Sequence, residues 1–258
     1  MEKQKLKGMV FAALFAALTG AVAWFKIPLP FTPVPITLQT LMVLLSGAML
    51  GAYYGALAMI IYLIMGSIGF PVFAGGSSGF GAILGPTGGY LLSYPVAAFV
   101  IGTILSKKNI NNFLKYISYF IVFGMIILVL IDAVFKIGLM RLWDTSTKSY
   151  VSMVSLITEN QRALLIITGL LLALAFMLML LYSRKIKSFS IEMLLAMFTG
   201  TLIIYLMGAV QGKLVTGLPW NAIFVGWVLP FIVGDTIKLL LAAYIAKSVD
   251  MKRYMGKK

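Results

Sequence analysis

The chain has 258 residues, 61% of them hydrophobic, with 21 Lys and Arg against 7 Asp and Glu. Several apolar runs of about 18 residues or more exclude a soluble globule and indicate a polytopic helical membrane protein, an all-α bundle. Cys and His are both absent, which removes disulfides, thiol nucleophiles, imidazole bases and the usual zinc and haem ligands, so neither a metal nor a resident cofactor is expected.

The N-terminal stretch MEKQKLKGMVFAALFAALTGAVAWF is basic and then apolar, in the manner of a signal peptide. Its long apolar stretch and the lack of a convincing cleavage site predict instead a retained first helix over Met9–Phe25. Ala12, Ala13, Ala16, Ala17 and Ala21 form a stripe of small residues on it, which permits close approach by another helix. The next segment, Ile27–Thr37, holds Pro28, Pro30, Pro33 and Pro35, which favour a stiff extended or polyproline conformation suited to a lid. Two spans follow, Leu38–Tyr53 and Gly55–Ile68. Phe70–Gly89 is dense in glycine and yet apolar; its backbone can pack closely and turn amides toward a ligand, or it can simply be a turn between helices. Gly89–Leu105, Phe113–Phe135, Ala163–Tyr182, Ile191–Met207 and Gly226–Ala246 complete eight expected spans. Some are short for about 30 Å of hydrocarbon, which predicts tilted spans or spans packed away from lipid.

The excess of positive charge does not point to nucleic acid, because the positives gather in short segments between apolar runs, where they orient a chain in the bilayer. Fourteen of the 21 Lys and Arg fall on the side of both termini, six fall on the other, and Lys238 lies inside the last span. Both termini are therefore expected in the cytoplasm and the Lys136–Arg162 loop outside.

Asp235 and Lys238 stand three apart within that last span. An ionised side chain near the bilayer centre costs about 2.5 to 3.5 kcal/mol on insertion scales, so such residues usually line a site or a pathway. They can also neutralise each other as a structural ion pair. Depth favours a site: counted from Gly226, Asp235 lies roughly 13 Å into the helix, within reach of an external ligand. Asp132 near Lys136, and Glu192 in a first helical turn, read as structural charges.

Several stretches, in order, resemble the BioY family, the biotin-specific S components of energy-coupling-factor transporters. They are IPLPFTPVPITLQTL, GFPVFAGGSSGFGAILGPTGGYL, GTLIIYLMGAV and VLPFIVGDTIKLLLAA. The resemblance covers residues 5–108 and about 190–248. It implies a bundle with six core helices that captures biotin outside and hands it inward with a transmembrane partner subunit and two ATPase subunits. It also implies that Asp235 and Lys238 contact the ligand and that Ala12, Ala13, Ala16 and Ala17 dock the transmembrane partner. One departure is large. About 80 residues, Asn109–Ser188, carry two extra spans where family members have a short basic loop, which divides the chain into a core of residues 1–108, an inserted hairpin of 109–188 and a core remainder of 189–258.

Biotin presents ureido N–H donors, a ureido carbonyl, an apolar sulfur ring and a carboxylate, and so calls for an acceptor, a cationic donor and apolar walls. Asp235 can accept from the N–H groups, and Lys238 can hold the carboxylate or the ureido oxygen. Thr37, Gln39, Ser77, Tyr90 and Tyr205 are candidate further polar contacts, with Phe31 and Phe73 as walls. Two alternatives remain open: an S component for another vitamin, or an ion-coupled secondary transporter of a small organic acid using Asp235 as proton carrier. A membrane-embedded enzyme is not expected, since no nucleophile with its base is present, and no GxxxxGK[ST] phosphate loop occurs.

Overall fold

The first helix, α1 (Glu2–Ala23), turns Gly8, Ala12, Phe15, Ala16, Thr19, Gly20 and Ala23 inward, and it packs on the next helix. In the computed structural model, which describes residues 2–29, 32–106, 141–144, 149–152 and 191–249, this face is closed by Tyr54 lying over Gly8 and Val72 lying over Gly20. The one polar side chain on it, Thr19, donates its hydroxyl to Phe15 O at 2.7 Å, which satisfies a buried group within the helix. Met9, Val10, Ala13, Leu14, Ala17, Leu18 and Ala21 form the exposed face. The alanine stripe is thereby divided. Ala12 and Ala16 are fully buried against the chain itself, whereas Ala13 and Ala17 lie on the exposed face.

The proline-rich segment is a β-hairpin. Strands β1 (Lys26–Leu29) and β2 (Thr32–Thr37) pair antiparallel, with Lys26 opposite Thr37 and Ile27 opposite Ile36. The expectation of extended backbone holds, with a ladder in place of an isolated polyproline strand. A two-stranded ribbon has two edges, so prolines can sit where no ladder donor is needed.

The α2 segment, Gln39–Ser67, is interrupted at Gly51, whose φ of 82° and ψ of −178° belong to a region essentially restricted to glycine. In a straight helix, residues nine apart are separated by about 13 Å. Here a Cβ on Gly55 would lie 2.7 Å from Ser46 O and 3.0 Å from Gly47 Cα, so the chain reverses at Gly51 and lays its second limb against its first. Gln39 and Tyr62, one on each limb, are hydrogen-bonded at the far end of this hairpin. The limbs, 39–50 and 52–67, are only about 18 and 24 Å long. The two spans expected as Leu38–Tyr53 and Gly55–Ile68 are thus separate antiparallel helices, with the break at Gly51 and Ala52 and Tyr53 on the second limb.

The glycine-rich stretch that follows contains positive-φ turns at Gly69, Gly75, Gly76 and Gly79 and a one-turn helix, α3 (Phe80–Leu84). α4 (Gly88–Ser106) packs against α2 on one side and α5 (Ile191–Thr216) on the other. A wide π-helical turn, Phe224–Val228, leads into α6 (Leu229–Ser248), which opens on Pro230 in its first turn, where a missing N–H costs nothing. The sequence reading has one continuous span over Gly226–Ala246; the wide turn divides its start.

Among the described residues, five helical stretches are long and apolar enough to cross a membrane, Gln4–Ala23, Gln39–Ser67, Gly88–Ser106, Glu192–Thr216 and Phe224–Ser248, the second of them folded back on itself at Gly51. Leu206, Leu214, Ile237 and Leu241 are exposed on their outer faces, as lipid contact requires. The chain separates into two compact units: Met1–Asn109, Ser188–Leu218 and Ile223–Lys258 make one, and Ile110–Lys187 with Pro219–Ala222 make the other. In the second, β3 (Arg141–Asp144) and β4 (Ser149–Ser152) form an antiparallel hairpin with Trp143 opposite Tyr150. The spans expected at Phe113–Phe135 and Ala163–Tyr182 lie outside the described residues, as do Asp132 and Lys136.

Candidate functional site

α6 carries Asp235 and Lys238 on one face, turned into the bundle, where they are 5% and 8% exposed. Lys238 Nζ lies 2.7 Å from Asp235 Oδ1. Thr40, in the first turn of α2, donates its hydroxyl to the same Oδ1 at 3.0 Å and accepts from Lys238 Nζ at 3.2 Å. Tyr205 of α5 donates to Oδ2 at 2.7 Å. The carboxylate therefore receives three donors from three helices. That is what a buried charge needs, because removing an ion from water costs several kcal/mol and is repaid only by close pairing with the remaining lone pairs engaged.

A second polar centre is built on Gln39, which is nearly inaccessible. Its Nε2 donates to the Tyr62 hydroxyl, and its Oε1 accepts from Thr37 Oγ1 at 3.0 Å, with the Tyr94 hydroxyl a longer contact at 3.5 Å. The amide orientation is thus set by the α2 hairpin, since Gln39 and Tyr62 meet only because the chain doubles back at Gly51. The Tyr62 ring meets Phe73 edge-on at 5.5 Å and stacks on Tyr94 at 6.3 Å, so aromatic packing holds the hydroxyls in place.

Both centres open on one cleft. Thr37, Gln39, Phe73, Ser77, Tyr90, Tyr205, Asp235 and Lys238 all line it, with Val34, Pro35, Ile204, Leu91 and Phe231 as apolar wall. The β-hairpin contributes through Val34, Pro35 and Thr37, and the glycine-rich segment through Phe73, Ala74, Ser77, Ala82 and Thr87, so neither is a mere connection. Like Thr37, Gln39 and Tyr205, the other two expected polar contacts are partly committed: Tyr90 donates to Trp227 O at 2.5 Å and Ser77 to Ala74 O at 3.1 Å, leaving each oxygen as an acceptor. Phe31 lies outside the described residues. Sequence reasoning missed Thr40, Tyr62 and Tyr94. Thr40 follows Gln39 directly, a signal that was available; the two tyrosines depend on tertiary packing. Among the described residues no group of Asp and Glu is placed to hold a metal.

The cleft therefore offers a charged acceptor, a charged donor and a neutral amide inside apolar walls. Such an arrangement selects a small, largely apolar molecule with both donors and acceptors, because any buried group left unmatched costs about 1 to 3 kcal/mol.

The BioY family model matches residues 1–174 and 161–254. The probable biotin transporter BioY of Pyrococcus horikoshii is 48% identical over 98 residues, 38% of this chain and 59% of that protein. The biotin transporter BioY of Thermotoga maritima is 45% identical over 104 residues, 40% of this chain and 60% of that protein. The probable biotin transporter BioY of Bacillus subtilis is 36% identical over 151 residues, 58% and 80% of the two chains. The matched stretch thus spans about three fifths of the first two relatives. A crystal structure of the S-component for biotin from an ECF-type ABC transporter superposes with a TM-score of 0.58 over 96% of this chain and 93% of that one; at 22% identity the likeness is one of fold. With the family model matched across both the N-terminal helices and the segment carrying Asp235 and Lys238, the chain belongs to the BioY family.

Proposed function

We propose that this chain is the biotin-binding S component of an energy-coupling-factor transporter, a carrier subunit and not an enzyme. The observation that carries the reading is the pair of polar centres, Asp235 with Lys238 and Gln39 with Thr37, facing one apolar cleft. Biotin's compact ureido ring places N–H donors beside a carbonyl acceptor, with an apolar sulfur ring and chain to fill the rest. In this reading Asp235 and Lys238 bind the ligand, Gln39, Thr37, Ser77, Tyr90 and Tyr205 complete its polar surroundings, and Phe73 with Phe31 forms wall. The chain crosses the membrane about eight times, counting the two spans of the 109–188 insertion, with both termini in the cytoplasm. Capture occurs from outside. Delivery uses a transmembrane partner docked on Ala13 and Ala17, with two ATPase subunits.

The test is equilibrium titration of the purified full chain in lipid nanodiscs with biotin, with biotin methyl ester, and with an analogue whose ureido nitrogens are methylated. Tight binding of biotin with loss on N-methylation is the expected result. Binding that ignores the ureido group, or a preference for another vitamin in the same assay, overturns the reading.

A further inference from the structure

The wall of the cleft formed by α3 has no fully buried side chain to hold it. None of the five residues of Phe80–Leu84 is buried, and Phe80 and Leu84 are strongly exposed. So short a helix does not persist on its own hydrogen bonds. Its place is set by polar anchors at its two ends. At the start, Gly79 N donates to Gly66 O at 2.7 Å, tying it to the end of the α2 hairpin. At the finish, Gln211 of α5 donates from Nε2 to Ile83 O at 2.7 Å and to Gly85 O at 2.8 Å. Both protons of one amide are spent on carbonyls at the end of the helix, where intrahelical donors run out.

The local sequence makes room for this contact. A Cβ on Gly88 would lie 2.6 Å from Gln211 Nε2, and one on Gly89 would lie 2.8 Å from Gln211 Cβ, so side chains at either position would push the clamp apart. What the clamp holds is functional surface, since Ala82 and Thr87 line the cleft on either side of Ile83 and Gly85. Gln211 stands on the same helix as Tyr205, which donates to Asp235. One helix therefore braces the buried carboxylate and pins a second wall of the cleft.

We propose that Gln211 is a positioning residue that clamps the α3 wall and thereby sets how long a ligand stays in the cleft. The proposal rests on the reading of this cleft as the biotin site. It is tested on the full chain in nanodiscs with three variants. Gln211→Glu keeps the length and polarity but has no proton to donate when ionised, Gln211→Leu removes the donors without adding charge, and Gln211→Lys restores a donor. Hydrogen exchange of residues 80–88 without ligand, biotin dissociation rate and melting temperature are measured for each.

Gln211→Glu and Gln211→Leu are expected to speed exchange in residues 80–88 selectively and to speed dissociation on the order of tenfold, the effect of losing one to two hydrogen bonds to partly buried carbonyls. Melting and the association rate should stay near wild type, and Gln211→Lys should recover much of the slow dissociation. Unchanged exchange and dissociation in the folded Glu and Leu variants would overturn the proposal. So would acceleration of exchange throughout the protein with a collapse in melting, or a Lys variant no better than Leu. If wild type binds no biotin while exchange in residues 80–88 still rises selectively, the clamp stands and the ligand reading fails.

Discussion

Replacing Asp235 and Lys238 singly and together separates a ligand-binding pair from a purely structural one. In Lys238→Met, Asp235 loses its 2.7 Å ionic partner and keeps only the hydroxyls of Thr40 and Tyr205. A carboxylate that is 5% exposed is then uncompensated, a change that typically costs about 3 to 5 kcal/mol. In Asp235→Asn the ammonium group instead loses its counter-charge and keeps only neutral acceptors, the Thr40 hydroxyl and the new amide oxygen. If the pair only stabilises the bundle, the double change to Asn and Met should restore both melting temperature and binding, because no unpaired charge remains. If the ligand uses both groups, the double variant should melt near wild type and yet bind weakly. Losing one buried charge-assisted contact costs about 2 to 5 kcal/mol, which is roughly 30-fold to more than a thousandfold in affinity. Biotin titration calorimetry on all four proteins, with thermal unfolding measured in parallel, supplies both readouts. Near-normal affinity in a folded double variant would refute the assignment of these residues to the ligand.

Gly51→Ala should destabilise the protein by about 1 to 3 kcal/mol, because alanine is strained at φ 82° and ψ −178°, whereas Gly81→Ala, in open space at an ordinary φ, should not; equal melting of the two would refute the hairpin turn. Topology is checked by cysteine labelling, which is unambiguous in a chain with no cysteine: Ser146→Cys should react with an impermeant maleimide in intact cells, and reaction only after permeabilisation would invert the orientation. Ala13→Trp and Ala17→Trp, on the exposed face of α1, should abolish ATP-driven uptake while leaving biotin binding within a few-fold of wild type; loss of both together would mean misfolding.

The helices were legible because apolar runs of this length have few other fates. What lay between them was less so, for reasons that differ by element. In GAYYG both glycines are candidate break points, and the reading places the break just before Gly55. The structure gives the turn to Gly51 and uses Gly55 for close approach to Ser46, a division that depends on the reversed limb. Proline content correctly implied extended backbone at residues 27–29 and 32–37, but a ladder needs a partner strand, and composition does not name one. On α1 the rows Ala12–Ala16 and Ala13–Ala17 have identical spacing. Only the neighbours Phe15 and Thr19, with Val72 packed over Gly20, decide that the first row turns inward. The cleft shows the same limit. Asp235 and Lys238 announce themselves as charges in an apolar run, whereas Tyr62 and Gln211 become part of the site only through a chain reversal and a loop that passes over α5.

The side chains of the site satisfy one another's charges, and this bears on what a ligand must bring. An ionised carboxylate has about four lone-pair positions and an ammonium group three protons. Among the described residues, Asp235 receives three donors, two on Oδ1 and one on Oδ2, while Lys238 gives protons to Asp235 and Thr40. One acceptor position on Oδ2 and one proton on Lys238 remain, and Gln39 has a second amide proton beyond the one given to Tyr62. A ligand can therefore bind by adding to the network without breaking the ion pair, so it does not have to offset the cost of separating two buried charges. A molecule that only accepts leaves Oδ2 facing an unmatched surface, and one that only donates meets Lys238 and Gln39 proton to proton. A rigid ring carrying N–H and C=O side by side meets both demands at once. In the proposed reading, the ion pair is thus part of the selectivity and persists in the bound state, with the ureido group taking up the positions that the protein leaves open.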